Sequence, residues 1–364
     1  MKTNTLIKPS IVFTVIISFL MFNSCKKDAA VPQKVEIDVP SDFNLSYGKD
    51  TTLELTALKS SNEQLEVKLS FDEIANININ RTVKLHDRLK EAIQVTADKK
   101  GILIRSSLLY PNSETSTING EKIPPTYKVK IAAVNTKGVV VGEKSTTFKL
   151  SKSEVKIKGS AKDKSISFVY ALFSDKETLF DLETSLIGLT GTSWSFQSNT
   201  VDKEKISIQN NQLKFAASTG KLSQLEEKTY EVEPELIKDG FPVASAKVRI
   251  IFIPAIKFLF GTYYPDMDIT IRYPKLFVDL SSGYVSSAPV FYPEKYRGKF
   301  TIERIELDGQ LYDNKEGNFS INESTGVITA KTNANLKTGS YAFNIKATAT
   351  NGLEFLTTIT LEYE

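Results

Sequence analysis

The chain has one histidine, one cysteine and one tryptophan among its 364 residues. His86 has no second imidazole with which to share a zinc ion, and Cys25 has no second thiol, so the usual zinc sites and cysteine–histidine catalysis are excluded. No nucleophile-elbow sequence accompanies a serine triad through His86. The stretch Lys84-Leu-His-Asp-Arg88 instead reads as a short helix carrying a half-buried or surface histidine. A glycine-rich phosphate loop is also missing, several glycines falling where turns are expected, as at Gly138, Gly240 and Gly352. Paired carboxylates suffice for glycoside hydrolysis, but 43 acids give no means of choosing two. Asp266 and Asp268 offer oxygens to calcium, which takes about six or more. No cofactor and no metal is expected, and the chain reads as a non-enzyme.

An excess of charge of one sign is lacking too. Setting aside Lys2 and Lys8 in the leader leaves 44 of the 46 basic side chains against 43 acidic ones, a balance that gives no support for a nucleic-acid partner. The longest apolar run, Ile11 to Phe22, is twelve residues, too short to span a bilayer as a helix and suited to the core of a signal peptide. Residues 1–24 therefore read as a targeting segment, and residues 25–34, polar and proline-bearing, as a linker. With a single cysteine the exported chain makes no internal disulfide, and its domains must be held by packing.

What the chain does have is a pattern that occurs three times. Phe319-Ser-Ile-Asn-Glu-Ser-Thr-Gly-Val-Ile-Thr-Ala is followed by Tyr341-Ala-Phe-Asn-Ile-Lys-Ala-Thr-Ala-Thr-Asn-Gly and a closing strand to Glu364. Ile93 and Ile206 open earlier copies, each 113 residues before the next, and the spacing from Tyr127 to Gly138, Tyr230 to Gly240 and Tyr341 to Gly352 is 11, 10 and 11 residues. In the last copy Tyr341, Phe343, Ile345, Ala347 and Ala349 alternate with polar or small residues, the period of a strand with one wet face. Asn351-Gly352 supplies the positive φ angles of a tight hairpin turn. A hairpin with a single apolar face needs a second sheet, and a repeat of this length fits a β-sandwich. The fold class expected is all-β, three sandwiches in tandem, bounded at 35–151, 152–254 and 255–364. One short helix is expected between Thr82 and Ala92, where Val83, Leu85, Leu89 and Ala92 take near-helical spacing.

Two resemblances rest on these residues. The copy from Phe319 through Gly352 resembles the second half of the immunoglobulin-like and cadherin-like modules of bacterial surface proteins, although Thr350 stands where related modules carry a calcium-ligating Asp. The segment Ser24-Cys25-Lys26-Lys27-Asp28 after the apolar run is similar to the signal of Bacteroidetes outer-membrane lipoproteins, with Phe22 where Leu is usual. That resemblance implies acylation of Cys25, a membrane partner through the lipid, and an outer-membrane location at the cell surface. Together they resemble the multidomain lipoproteins that hold glycans beside an outer-membrane porin or uptake complex.

The third domain differs in composition. Twelve residues between Ile256 and Tyr312 are Tyr or Phe, and Tyr264, Tyr273 and Tyr292 directly precede proline. Prolines cannot donate to a ladder, so these segments read as edges or loops, where exposed rings would stack on the C–H faces of sugars. Tyr263, Tyr264, Tyr284, Tyr292 and Tyr296 form the candidate platform for a polysaccharide, and about two of the five are expected to pack beneath the loops instead. The other reading is a structural or adhesive surface protein with its tyrosines packed between strands. Trp194, on an alternating stretch with Phe196, reads as an inter-sheet position in the second domain.

Overall fold

The computed structural model describes residues 34–364 except 57–63, 165, 187–189, 198–200, 218, 220–225, 281 and 333–335. The leader and Cys25 lie outside the described residues. The chain divides into two compact units, Met1–Ser151 and Lys152–Glu364, and it is nearly all β.

In each repeat the expected strands form the same set of pairings. Ile93–Val95 pairs with Gly101–Ile104, Ile206–Gln209 with Gln212–Phe215, and Phe319–Ile321 with Ile328–Ala330, all antiparallel. Downstream, Tyr127–Val134 and Val140–Ser151 form a hairpin, as do Gly339–Thr348 and Glu354–Tyr363, while in the second repeat Lys228–Val232 pairs antiparallel with Val248–Ile253 across an intervening hairpin, Pro234–Lys238 with Phe241–Ser245, that belongs to another sheet. An upstream strand then lies parallel to the last strand each time: Asp42–Ser46, Ile166–Leu172 and Lys275–Val278. This threefold recurrence of one parallel pair within antiparallel sheets makes the chain three immunoglobulin-like sandwiches, one in the first unit and two in the second.

The turns that carry the three repeated glycines differ. In the second repeat Asp239 and Gly240 both take positive φ, 50° and 86°, and they join Lys238 directly to Phe241 in a two-residue turn. In the third repeat only Gly352 is left-handed, at 82°, and Ala349 N–H donates to Leu353 O across three residues. The first repeat closes in the same way, Asn135 N–H donating to Val139 O with Gly138 at 77°. The Asn351-Gly352 pair is thus not a two-residue turn as its sequence implies. Asn351 avoids the left-handed region that costs a side-chain-bearing residue more than glycine.

The tyrosine near the start of each repeated downstream strand is a fastening. Tyr127 is fully buried and its hydroxyl donates to Tyr110 O at 2.6 Å. Tyr230 donates to Thr219 O at 2.6 Å, while the Tyr341 hydroxyl accepts from Lys337 N–H at 3.0 Å. A tyrosine whose hydroxyl is tied to backbone upstream of its own strand is a known stabilising corner of such sandwiches. Burial raises the pKa of the Tyr127 hydroxyl above the usual tyrosine value, so it stays a donor.

The helix in the first sandwich covers Leu85–Ala92 and buries Leu85, Leu89 and Ala92. His86 is half-buried, and its Nε2–H donates to Ile74 O at 2.8 Å, a structural use of the ring. In the second sandwich Trp194 is half-buried on Thr192–Phe196, its Nε1–H donating to Asn211 Oδ1 at 2.7 Å. It therefore sits at the border of the core rather than within it, because the indole N–H keeps a polar partner at the surface.

The core of the third sandwich gathers around Phe319. Its ring centroid lies 5.0 Å from Phe343 and 5.1 Å from Tyr341, and Tyr341 packs on Tyr363 at 5.4 Å. Ile253, the last residue of the second sandwich's closing strand, belongs to this same core, and Tyr170 and Ile251 pack against it. The second and third sandwiches thus share an apolar contact at the expected 254/255 boundary.

Candidate functional site

Between the strand Lys257–Leu259 and the parallel edge strand Lys275–Val278 the third sandwich inserts a small hairpin, Gly261–Tyr264 paired with Ile269–Arg272. A turn of 3-10 helix, Pro265–Met267, forms its tip, with Asp268 closing it in the left-handed region at φ 49°. Proline at the first position of that turn fits its fixed φ, and Asp tolerates the left-handed conformation better than most residues.

Strand alternation gives the two adjacent tyrosines opposite directions. Tyr263 faces the sandwich: its ring lies 5.2 Å from that of Tyr292, and its hydroxyl donates to Asp268 Oδ1 at 2.9 Å. Lys257 completes the cluster, with Nζ 2.8 Å from the Asp268 carboxylate and 5.3 Å from the centre of the Tyr263 ring. The Lys257 ammonium, and secondarily the Tyr263 hydroxyl, hold the Asp268 carboxyl below the usual range. Partial burial and the bond to Asp268 push the Tyr263 hydroxyl up to about 12. The set fixes the hairpin on the body of the domain.

Tyr264 faces away and is 43% exposed. It shares its face with its pairing partner Ile269, and Thr262 shares it with Ile271. Tyr273 continues the ladder, its N–H donating to Phe260 O, and its hydroxyl lies 3.4 Å from Thr262 Oγ1. Ile269, Ile271 and Tyr273 are all exposed, as is Met267 at the tip.

The five tyrosines singled out in the sequence therefore have different fates. Tyr264 alone is an exposed ring, while Tyr263 and Tyr292 lie half-buried against each other beneath it. Tyr284, on the two-residue strand Tyr284–Val285, packs against the core, and burial raises its pKa. Tyr296 is buried and is no platform residue. Its hydroxyl donates to Glu227 Oε1 of the second sandwich at 2.7 Å, and Lys295 Nζ lies 3.1 Å from the same carboxylate oxygen. Burial, then the Glu227 bond, pushes the Tyr296 hydroxyl up to about 12. Of the edge and loop positions expected for the five, four are in short strands and Tyr296 is in a 3-10 turn. Tyr273 was missed although its signal is legible, Ile269, Ile271 and Tyr273 keeping a period of two.

Among the described residues no group of three or more His, Cys, Asp or Glu side chains is placed to hold a metal ion. No helix among them is long and apolar enough to cross a membrane.

No family model matches the chain, and no curated protein matches it. Solved structures similar to it include extracellular domains 3-5 of Drosophila OTK, at 12% identity and a TM-score of 0.30, covering 92% of this chain and 99% of that one. Sidekick-1 immunoglobulin domains 1-4 match at 12% identity and a TM-score of 0.30, covering 91% of this chain and 76% of that one. The EC1-3 segment of Drosophila N-cadherin gives 9% identity and a TM-score of 0.28, with 91% and 99% covered. At these values the similarities carry no argument about function, and the fold assignment rests on the repeated strand pairing itself.

Proposed function

We propose that the protein is an exported, lipid-anchored surface protein that holds a polysaccharide on its third sandwich without transforming it. The observation that carries this reading is the outward face of the inserted hairpin, where Tyr264 and Tyr273 are 43% and 46% exposed. A rigid mount beneath an exposed aromatic face is what sugar stacking requires, since rings already held in place lose little freedom on binding. The cluster of Lys257, Tyr263, Asp268 and Tyr292 provides that mount.

Acylation of Cys25 would place the chain at an outer membrane, beside a porin or glycan-uptake complex that receives the polymer. One lipid chain gives marginal anchoring and several give a stable one, at about 0.8 kcal/mol per buried methylene. The second reading is a structural or adhesive protein, favoured by the burial of Tyr296 and the packing of Tyr284. Two measurements test the proposal. Cys25→Ala should move the protein from the membrane to the soluble fraction, and electrophoresis of the full chain through gels containing a panel of polysaccharides should show retardation by at least one. Failure of every polymer to retard it would transfer the assignment to the structural reading.

A further inference from the structure

Resting on the glycan-binding reading, we infer that the outward hairpin face selects an extended, uncharged polysaccharide, with Tyr264 and Tyr273 as its two stacking positions. Four ladder steps separate these residues, from the Tyr264–Ile269 pair to the level of Phe260 and Tyr273. At about 3.3 Å per step their backbone positions lie about 13 Å apart, and the Tyr273 ring leans toward Tyr264, its hydroxyl reaching Thr262 two steps along the ladder. Ile269 and Ile271 form an apolar floor between them, and the hydroxyls of Thr262 and Tyr273 supply polar edges.

Charge is turned away from this face. Asp268 is engaged by Lys257 and Tyr263, Arg272 alternates to the opposite side, and Asp266 lies in the tip. A polyuronate would have to bring carboxylates against an apolar floor with no facing cation, at a desolvation cost that nothing on this face repays. A helically coiled polymer turns successive sugar faces in different directions, away from the single face that carries both tyrosines. A chain that extends as a ribbon can lay C–H faces on both tyrosines at once.

Size argues against a protein as occupant. Tyr264, Met267, Ile269, Ile271 and Tyr273 are between 43% and 62% exposed. With side-chain-bearing residues of roughly 200 Å² each, the patch offers about 500 Å², short of the roughly 800 Å² per partner of a specific protein interface. A few stacked sugars need no more than such a patch.

The test compares retardation of the full chain in gels containing galactomannan or hydroxyethylcellulose, which are neutral and extended, glycogen, which is neutral and coiled, and polygalacturonate, which is charged. The expected result is retardation by one or both extended polymers and by neither of the others. Tyr264→Ala and Tyr273→Ala should each weaken it about tenfold, the loss of one stacked ring, with an unchanged thermal midpoint. Leu356→Ala, which removes an exposed side chain from the long hairpin, should leave retardation intact. Equal or stronger retardation by glycogen or polygalacturonate overturns this inference and leaves glycan capture standing, as does binding of an extended polymer that both tyrosine substitutions fail to weaken. No retardation by any polymer overturns both. A dimer in sedimentation that Ile271→Arg dissociates would assign the face to a second copy and likewise overturn it.

Discussion

The first and third sandwiches carry the same parallel edge pair, the same hairpins and the same fastening tyrosine, yet each adds one departure from that shared arrangement. The first adds a helix whose Leu85, Leu89 and Ala92 are buried, so the addition completes a core. The third adds a hairpin that directs Tyr263 inward and leaves Tyr264, Ile269, Ile271 and Tyr273 exposed. An insertion that buries its apolar side needs no further explanation, whereas one that exposes four large apolar side chains is the feature on which the proposed binding rests. Function on such scaffolds resides in what is added to the frame, because the frame itself is fixed by packing.

The strongest way to break this comparison is to truncate the shared core. Phe343→Ala in the third sandwich should cost about 3–5 kcal/mol, and Ile131→Ala in the first about 2–5 kcal/mol. Both residues are fully buried. Each loss should fall on the unfolding transition of its own unit in chemical denaturation, and a common shift of both transitions would show that the two units do not unfold separately.

A smaller effect is expected from cutting the chain between sandwiches. Fragment 34–151 should unfold cooperatively by itself. Fragment 255–364 loses Ile253, one member of its core, at about 1.5–3 kcal/mol for a large apolar side chain. It should therefore melt below the fragment 152–364 in differential scanning calorimetry, and equal midpoints would mean that the shared contact contributes nothing.

The fastening tyrosines come next. Tyr127→Phe leaves the Tyr110 carbonyl without this donor inside the core and should cost about 1–3 kcal/mol. Tyr341→Phe removes an acceptor from the partly buried Lys337 N–H and should cost nearer about 1 kcal/mol. Denaturant midpoints at constant slope would measure both, and a larger loss at Tyr341 would reverse the ranking argued from burial.

The smallest effect concerns the contact of Glu227 with Tyr296 and Lys295. The Tyr296 hydroxyl, then the Lys295 ammonium, hold the Glu227 carboxyl below its ordinary value. A depressed carboxylate stabilises the fold above its unfolded pKa and loses that contribution as pH falls through the folded one. The melting temperature of the second unit should therefore decline on acidification below the ordinary carboxylate range more steeply in the wild type than in Glu227→Gln. Parallel curves would show that the contact is not linked to stability.

Much of the architecture was legible in the sequence because it depends on local rules. Alternation at Tyr341 to Ala349 wrote the strand and near-helical spacing at Leu85, Leu89 and Ala92 wrote the helix, whereas Asn351-Gly352 misled on the turn, which closes over three residues with only Gly352 left-handed. Of the Tyr-Pro dipeptides, Tyr264-Pro265 lies at the tip of the inserted hairpin and Tyr273-Pro274 at its end, whereas Tyr292 sits on a strand paired with Lys257–Leu259. Solvent exposure of each ring was not legible, since it depends on what another part of the chain places over it. Tyr296 is covered through Glu227, 69 residues earlier, and Tyr263 is turned inward by Tyr292 and Lys257, contacts that no local pattern announces. Composition and periodicity thus determined three sandwiches and an aromatic-rich stretch in the third. Only tertiary packing decided that Tyr264 and Tyr273 face water, because burial is a property of surfaces brought together and not of any one stretch of residues.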